Sequence, residues 1–234
     1  MISVCMAFFN GQEYLDEQVG SILKQLRKGD ELIISDDGSC PEAASLLRSI
    51  LEKDSRVVLV EGPCEGLIRN FENALNQARG KYIFLSDQDD VWLDGKVKRM
   101  LEVLETSTLV VSDCRVTDEK LDLLYESFFA VNRSKAGLFN NVYSNSYLGC
   151  CMAFNRELLD VALPFPKSIP MHDWWLGLVA ECHFNVSLIP DILLEYRRHG
   201  GNASPTSEKS KSSLLTKLCY RYNLVSNLLI LKRN

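Results

Sequence analysis

Three carboxylates fall within four positions in Asp87-Gln88-Asp89-Asp90, directly behind the apolar run Tyr82-Ile83-Phe84-Leu85. Carboxylates this close repel one another, which raises their pKa values and costs stability unless a cation or a basic partner compensates. A hard divalent cation, Mg²⁺ or Mn²⁺, is the natural compensator, because it takes oxygen ligands and shares its sphere with phosphates. The plain alternative is a polar strand-to-helix turn in which an aspartate caps the next helix. A second acidic pair, Asp36-Asp37, precedes Gly38 behind Leu32-Ile33-Ile34, where an Asx turn with glycine at positive φ is the local explanation.

The elements that must position these groups alternate. Ile2 to Phe9 forms a first strand, and Leu15, Val19, Ile22, Leu23 and Leu26 recur as one helix face. Leu32-Ile33-Ile34 forms a second strand, Leu46, Leu47, Ile50 and Leu51 a second helix, and Val57-Val58-Leu59-Val60 a third strand. A helix over about 67–79 and the strand before the acidic motif complete a βαβαβαβ series. That order predicts an α/β fold: a mainly parallel, Rossmann-like central sheet with helices on both faces and a ligand site at the carboxyl ends of its strands. Asp36, Asp37, Asp87 and Asp89 all belong to that rim.

After Leu109 to Asp113 the alternation fades. Residues 114–146 read as loops and short helices beside an acceptor cleft, Tyr147 to Phe154 as a strand, and Asn155 to Val161 as a helix. Three prolines lead to Met171-His172-Asp173-Trp174-Trp175, which opens another helix, and two strands near 184–189 and 192–197 precede His199. The chain divides into residues 1–113, residues 114–203 of the same domain, and a basic segment (204–234). In that segment Lys209, Lys211, Lys217, Arg221, Lys232 and Arg233 stand against the single Glu208, while Leu214, Leu218, Val225, Leu228 and Leu229 share a helix face. Such a helix suits a membrane surface, and packing on the domain suits it equally.

The 234 residues, 46% hydrophobic and 24% charged, describe an ordinary globular protein able to bury a large core. A net charge of -5 argues against general nucleic-acid binding. No apolar stretch has membrane-spanning length, and the eight scattered cysteines, without CxxC spacing, read as reduced thiols of a cytoplasmic protein.

Ala7-Phe8-Phe9-Asn10-Gly11, Ser35 to Ser39, Ser86 to Trp92 and His172-Asp173-Trp174-Trp175, in this order over residues 1–202, together resemble the family 2 glycosyltransferases, most of all their bacterial rhamnosyltransferase-like branch. The resemblance implies a GT-A fold and inverting, metal-dependent transfer of a sugar, with rhamnose preferred among several, from a dTDP- or UDP-linked donor to a surface-polysaccharide or lipid-linked precursor. It places Asp37 at the base or ribose, where a carboxylate accepts an imide N–H, with Asp36 and the Ala7 backbone close by and Arg69 near the nucleotide. Within the DxD motif it assigns Asp89 to the metal and Asp87, with Gln88, to the donor; Asp90 reads as a helix cap or as a support behind those ligands, and Trp92 as core. Asp173 corresponds to the general base and His199 to a further metal ligand. Gly149 and Cys150 correspond to a cleft for sugar and acceptor, with Trp174 and Trp175 divided between that cleft and the core; 1–113 is then the nucleotide-sugar-binding half and 114–203 the acceptor-binding and catalytic half of one domain.

Two other readings compete. A sugar-nucleotide nucleotidyltransferase needs a glycine- and basic-rich loop after the first strand, which Phe8-Phe9-Asn10-Gly11-Gln12-Glu13 lacks. A non-catalytic nucleotide- or carbohydrate-binding module remains open until Asp37, Asp89, Asp173 and His199 are shown to converge.

Overall fold

The computed structural model describes residues 1–200 and 213–231; Gly201, Asn202, Glu208, Lys209, Lys211, Lys232 and Arg233 lie outside the described residues. The expected alternation forms β1 (Ile2–Phe8), α1 (Gln12–Leu23), β2 (Glu31–Asp36), α2 (Pro41–Lys53), β3 (Val57–Glu61), α3 (Leu67–Gln77) and β4 (Tyr82–Ser86). Every residue of β1 is buried, as its uninterrupted apolar run requires of a strand covered on both faces. Leu15, Val19 and Ile22 of α1 and Phe71, Ala74 and Leu75 of α3 supply part of that cover. Each large side chain so buried contributes about 1.5–3 kcal/mol.

Beyond β4 follow β5 (Val91–Trp92), α4 (Lys96–Val103), β6 (Leu109–Thr117), β7 (Leu123–Tyr125), α5 (Phe128–Asn132) and α6 (Leu138–Tyr143). A 3₁₀ turn at Gly149–Cys151, β8 (Met152–Asn155), α7 (Glu157–Ala162), α8 (His172–His183), β9 (Val186–Arg197) and α9 (Leu214–Leu231) complete the order. The nine strands form one sheet, β3-β2-β1-β4-β8-β6-β9-β5, with β7 on β6. β1 to β4 pair in parallel, β8 is antiparallel to both β4 and β6, and β9 is parallel to β6. The longer strands therefore share one direction and deliver their carboxyl ends to one rim.

Four details differ from the expectation. Tyr147 to Phe154 is a strand only from Met152; before it the chain turns at Gly149–Cys151. The two late strands are one, β9, whose register against β6 shifts between Ser112 and Asp113 and again before Arg115. Pro190 lies opposite the first shift, where a residue without an N–H leaves the ladder at a bulge. β6 continues through Thr117, past the expected division at 113. Trp92, 3% exposed, is core, as expected, yet it stands in a short strand paired with Leu194.

On α9 the buried residues are Leu224 and Leu228, and the helix packs against α6 and α8. Of the expected face only Leu228 is buried; Leu214, Leu218, Val225 and Leu229 are exposed, so docking uses the flank of that face nearest Leu224. Among the described residues no helix is long and apolar enough to cross a membrane, and all eight cysteines are free.

Candidate active site

The acidic motif leaves β4 at Ser86 and is anchored from α1. Gln18 donates to Ser86 Oγ at 2.7 Å and to the Asp87 carbonyl at 2.8 Å. Gln88 turns back to the β1–α1 loop, where Oε1 accepts the Phe9 N–H at 2.8 Å. A Cβ at Gly11 would meet Gln88 Cδ at 2.2 Å, so a side chain there would displace the Gln88 amide from its present place. The motif thus ties β4 to the end of β1.

Asp89 and His199 meet on this rim, with His199 Nε2 2.8 Å from Asp89 Oδ2. Arg197 fixes the meeting: its N–H donates to Asp90 Oδ1 at 3.0 Å, its Nε to the Asp89 carbonyl at 2.8 Å, and its guanidinium pairs with Glu17 at 2.5 Å and lies over the Tyr14 ring. Tyr14 also packs against His199, their ring centroids 4.9 Å apart. Asp90 therefore clamps the end of β9 against the acidic motif. It does not cap a helix: the residue before α4 is Gly95.

The 3₁₀ turn joins this motif to Asp173 at the start of α8. Asp173 Oδ2 accepts the Gly149 N–H at 3.1 Å and Oδ1 accepts the Trp174 N–H at 2.6 Å. The next carbonyl, that of Cys150, accepts from the buried Lys96 ammonium at 2.8 Å, which also lies over the Trp92 ring. One ligand atom from each of Asp87, Asp90 and Cys150 falls within 4.8 Å of the others.

These carboxylates carry charge that the protein does not fully offset. Burial, then the charges of Asp89 and Asp173, pushes Asp87 up to about 8. Burial raises Asp89 against the opposing His199 bond, and raises Asp90 well above the usual range. The Asp90 Oδ2 atom is buried with no hydrogen-bond partner among the described residues. An orphaned oxygen among closely set carboxylates fits a divalent cation. Asp173, raised by burial to about 6, lies in the range suited to a general base near neutrality. Its neighbour His172 is buried and stacked on Phe71 with centroids 4.0 Å apart, and burial lowers it to about 3, so it is neutral.

On the other side of the rim, Asp37 accepts the N–H groups of Cys64 at 2.7 Å and Gly66 at 2.9 Å. Asp36 Oδ1 accepts from Ser39 N at 3.1 Å, three residues on and so one residue beyond the Asx turn that its spacing with Gly38 suggests. Ala7, in β1, is in register with Ser35. Arg69 engages Glu72 and the Phe165 carbonyl, so its guanidinium is held by these groups and not by Asp36 or Asp37. Trp174 is half-buried, with its Nε1 bound to the Asn141 carbonyl. Trp175 is 1% exposed and donates to the Ala162 carbonyl, which puts it in the core and not on a cleft wall.

The structure thus brings Asp87, Asp89, Asp90, Cys150, Gly149, Asp173 and His199 together. It adds Gln18 and Lys96, which the motifs do not single out, and it sets Arg197, a candidate diphosphate contact by its place beside His199, against Asp89, Asp90 and Glu17. Gln18 interrupts the apolar stripe of Leu15, Val19 and Ile22, and a polar residue on such a stripe is a readable sign of a buried hydrogen bond.

A parallel rim bearing paired carboxylates and a further buried carboxylate is where an α/β fold of this kind binds a ligand. The model of the family described as Glycosyl transferase family 2 matches residues 3–162, and the chain belongs to that family. It is 31% identical over 214 residues to WfaP of Escherichia coli, named a UDP-Glc:α-D-GlcNAc-diphosphoundecaprenol β-1,3-glucosyltransferase, covering 89% of this chain and 82% of WfaP. It is 25% identical over 226 residues to TuaG of Bacillus subtilis, whose name assigns it to teichuronic acid biosynthesis, covering 94% and 87%. Among solved structures, TarS 1–349 of S. aureus in complex with UDP-GlcNAc superposes with a TM-score of 0.72 at 16% identity, over 98% of this chain and 66% of that one. A mannosyltransferase of Pyrobaculum calidifontis in complex with GDP-Man and Mn²⁺ superposes at 0.65 and 19% identity, over 88% and 58%. The chain therefore spans less than two thirds of these solved structures, and the likeness shows the fold.

Proposed function

We propose that this glycosyltransferase inverts the anomeric centre of a UDP- or dTDP-linked sugar as it transfers that sugar to a hydroxyl of a lipid-linked precursor of a surface polysaccharide. The observation that carries the reading is the shared 3₁₀ turn: Gly149 holds Asp173 while Cys150 Sγ lies within 4.8 Å of a carboxylate oxygen of both Asp87 and Asp90, so a base and an acidic donor motif meet at adjacent residues. The name of WfaP, which specifies a UDP-sugar and a diphosphoundecaprenol-linked acceptor, supports the substrate class. That name carries glucose, while the motif resemblance favours rhamnose.

Asp173 takes the proton of the acceptor hydroxyl as the oxygen forms its bond to the anomeric carbon. The bond from that carbon to the diphosphate breaks on the opposite face, and its electron pair leaves with the nucleoside diphosphate. A divalent cation, Mn²⁺ or Mg²⁺, would supply charge neutralisation for that leaving group. Asp89 and His199 would hold it, with Asp87 and Gln88 toward the donor. Asp37, Asp36 and the Ala7 backbone would receive the base and ribose; Arg69 would join them after exchanging its Glu72 partner. Gly149, Cys150 and Trp174 would border the acceptor, at the inner face of the membrane if the acceptor is lipid-linked.

The test is a thermal-shift panel of UDP, dTDP and their glucose, N-acetylglucosamine, galactose and rhamnose derivatives with Mn²⁺ or Mg²⁺, followed by turnover assays with the donor that stabilises most. Absence of any shift would overturn the donor reading.

A further inference from the structure

Away from the rim, α6 and α9 expose large apolar side chains that cover nothing. On α6, Phe139 is 89% and Tyr143 76% exposed, one helical turn apart. On α9, Leu214, Leu218, Tyr222, Val225 and Leu229 recur at helical spacing along a side distinct from the docked Leu224 and Leu228. The two helices touch, and Arg221 joins them, donating to the Tyr143 carbonyl and lying over the Tyr143 ring. Exposed apolar side chains gathered on neighbouring helices mark an interaction surface.

Its charge is the opposite of the protein's. The chain has a net charge of -5, yet residues 127–156 contain no aspartate or glutamate, and none follows Glu208. A groove of about 390 Å³ beside the patch is lined by Arg133, Lys135, Phe139 and Tyr143. The ends of Arg133 and Lys135 form no ion pair among the described residues. The Glu181 carboxylate at the start of α6 is bound by the Gly137 N–H and the Tyr147 hydroxyl. Apolar and aromatic side chains projecting among cations suit the interface of an anionic bilayer, which accepts both. A second copy of the chain would bring a like-charged face to this one.

We infer that the α6–α9 face docks on an anionic lipid surface, Phe139, Tyr143 and the α9 leucines entering the acyl boundary while Arg133 and Lys135 meet headgroup phosphates. This deepens the lipid-linked acceptor reading and names the surface by which the enzyme reaches it. The face extends beyond the basic C-terminal segment, because α6 contributes both aromatics and the groove.

The experiment is co-sedimentation of the full chain with vesicles of phosphatidylcholine alone or with phosphatidylglycerol, neither containing any acceptor, with light scattering in parallel. The expected result is salt-sensitive binding to the anionic vesicles. The Phe139→Glu/Tyr143→Glu and Leu218→Glu/Leu229→Glu pairs should each lower the binding constant by about tenfold or more. Arg133→Gln or Lys135→Gln should lower it about fivefold per cation. All these positions are exposed, and circular dichroism checks the fold. No binding by the wild type at low salt overturns the inference, as does binding insensitive to both glutamate pairs. A dimer dissociated by Leu218→Glu/Leu229→Glu overturns it in favour of a second copy. Donor titration is read separately, so failure on vesicles with intact donor binding removes this surface and leaves glycosyl transfer standing.

Discussion

His199 Nε2 and Asp89 Oδ2 lie 2.8 Å apart although 110 residues separate them in the chain. Two potential metal ligands therefore face one another on the rim before any ion is bound, held there by Arg197 and by the Asp90 clamp. Calorimetric titration with Mn²⁺ in the presence of UDP should show affinity lost by about tenfold or more in Asp89→Ala and reduced in His199→Ala. Affinity unchanged in both variants would remove the cation from this pair.

Asp173, raised to about 6 by burial, must be ionised to accept a proton. Below that pH the neutral acid predominates, so kcat should fall about tenfold per pH unit on the acid side and level off above neutrality. Asp173→Asn should lose about 10²–10⁴-fold in kcat while keeping its UDP affinity. A variant with full turnover would assign the base elsewhere.

His172 is neutral in the fold and titrates near 3, against an ordinary value of 6.5. Its depressed value makes its contribution to stability intact above 6.5 and progressively lost as pH falls from there toward 3. The cost should reach about 2 kcal/mol by pH 5. Asp87 and Asp173 are shifted upward and act in the opposite sense, so the useful quantity is a difference. His172→Phe, which keeps an aromatic ring against Phe71, should gain on the wild type by that amount between pH 7 and pH 5 in urea unfolding. A pH-independent difference would show that the imidazole titrates normally.

Gly177 on α8 faces Tyr147 so closely that a Cβ would stand 2.1 Å from the ring. The ring is pinned by its hydroxyl bond to Glu181 at 2.7 Å. Gly177→Ala should therefore destabilise the protein by about 1–3 kcal/mol, and chemical denaturation will read it. A neutral substitution would mean that Tyr147 moves freely.

The parallel half of the sheet was legible because each of its strands is a short apolar run followed by an amphipathic helix, so local pattern and tertiary role agree. The second half was less so, because long-range bonds decide it. Val91–Trp92 is too short to announce itself and exists by pairing with β9. Gly149 leaves the ladder to bind Asp173, and Lys96 holds the following carbonyl, which makes a turn of an apolar run that would otherwise read as strand.

Among site residues, the motifs located the carboxylates and His199, whose spacing is a local property. Asp90 was harder: its partner is the backbone of Arg197, and nothing in its own neighbourhood signals a bond across the sheet. Arg69 and Trp175 show the converse. Trp175 stands within a motif and Arg69 at a position carried over by the resemblance, but an acidic neighbour one turn away takes the arginine and the core takes the indole.

The irregularity of β9 has a consequence of its own. The strand spends 12 residues where β6 spends nine, an odd surplus. Side chains alternate with a period of two, so an odd surplus exchanges the faces presented at the far end. The surplus is two residues at Pro190 and one more before Glu195, so losing any single one of them would turn Arg197 over, together with the chain that leads from it to His199. In this protein parity, more than pairing strength, decides what β9 delivers, and a more regular strand would dismantle the clamp that His199 depends on.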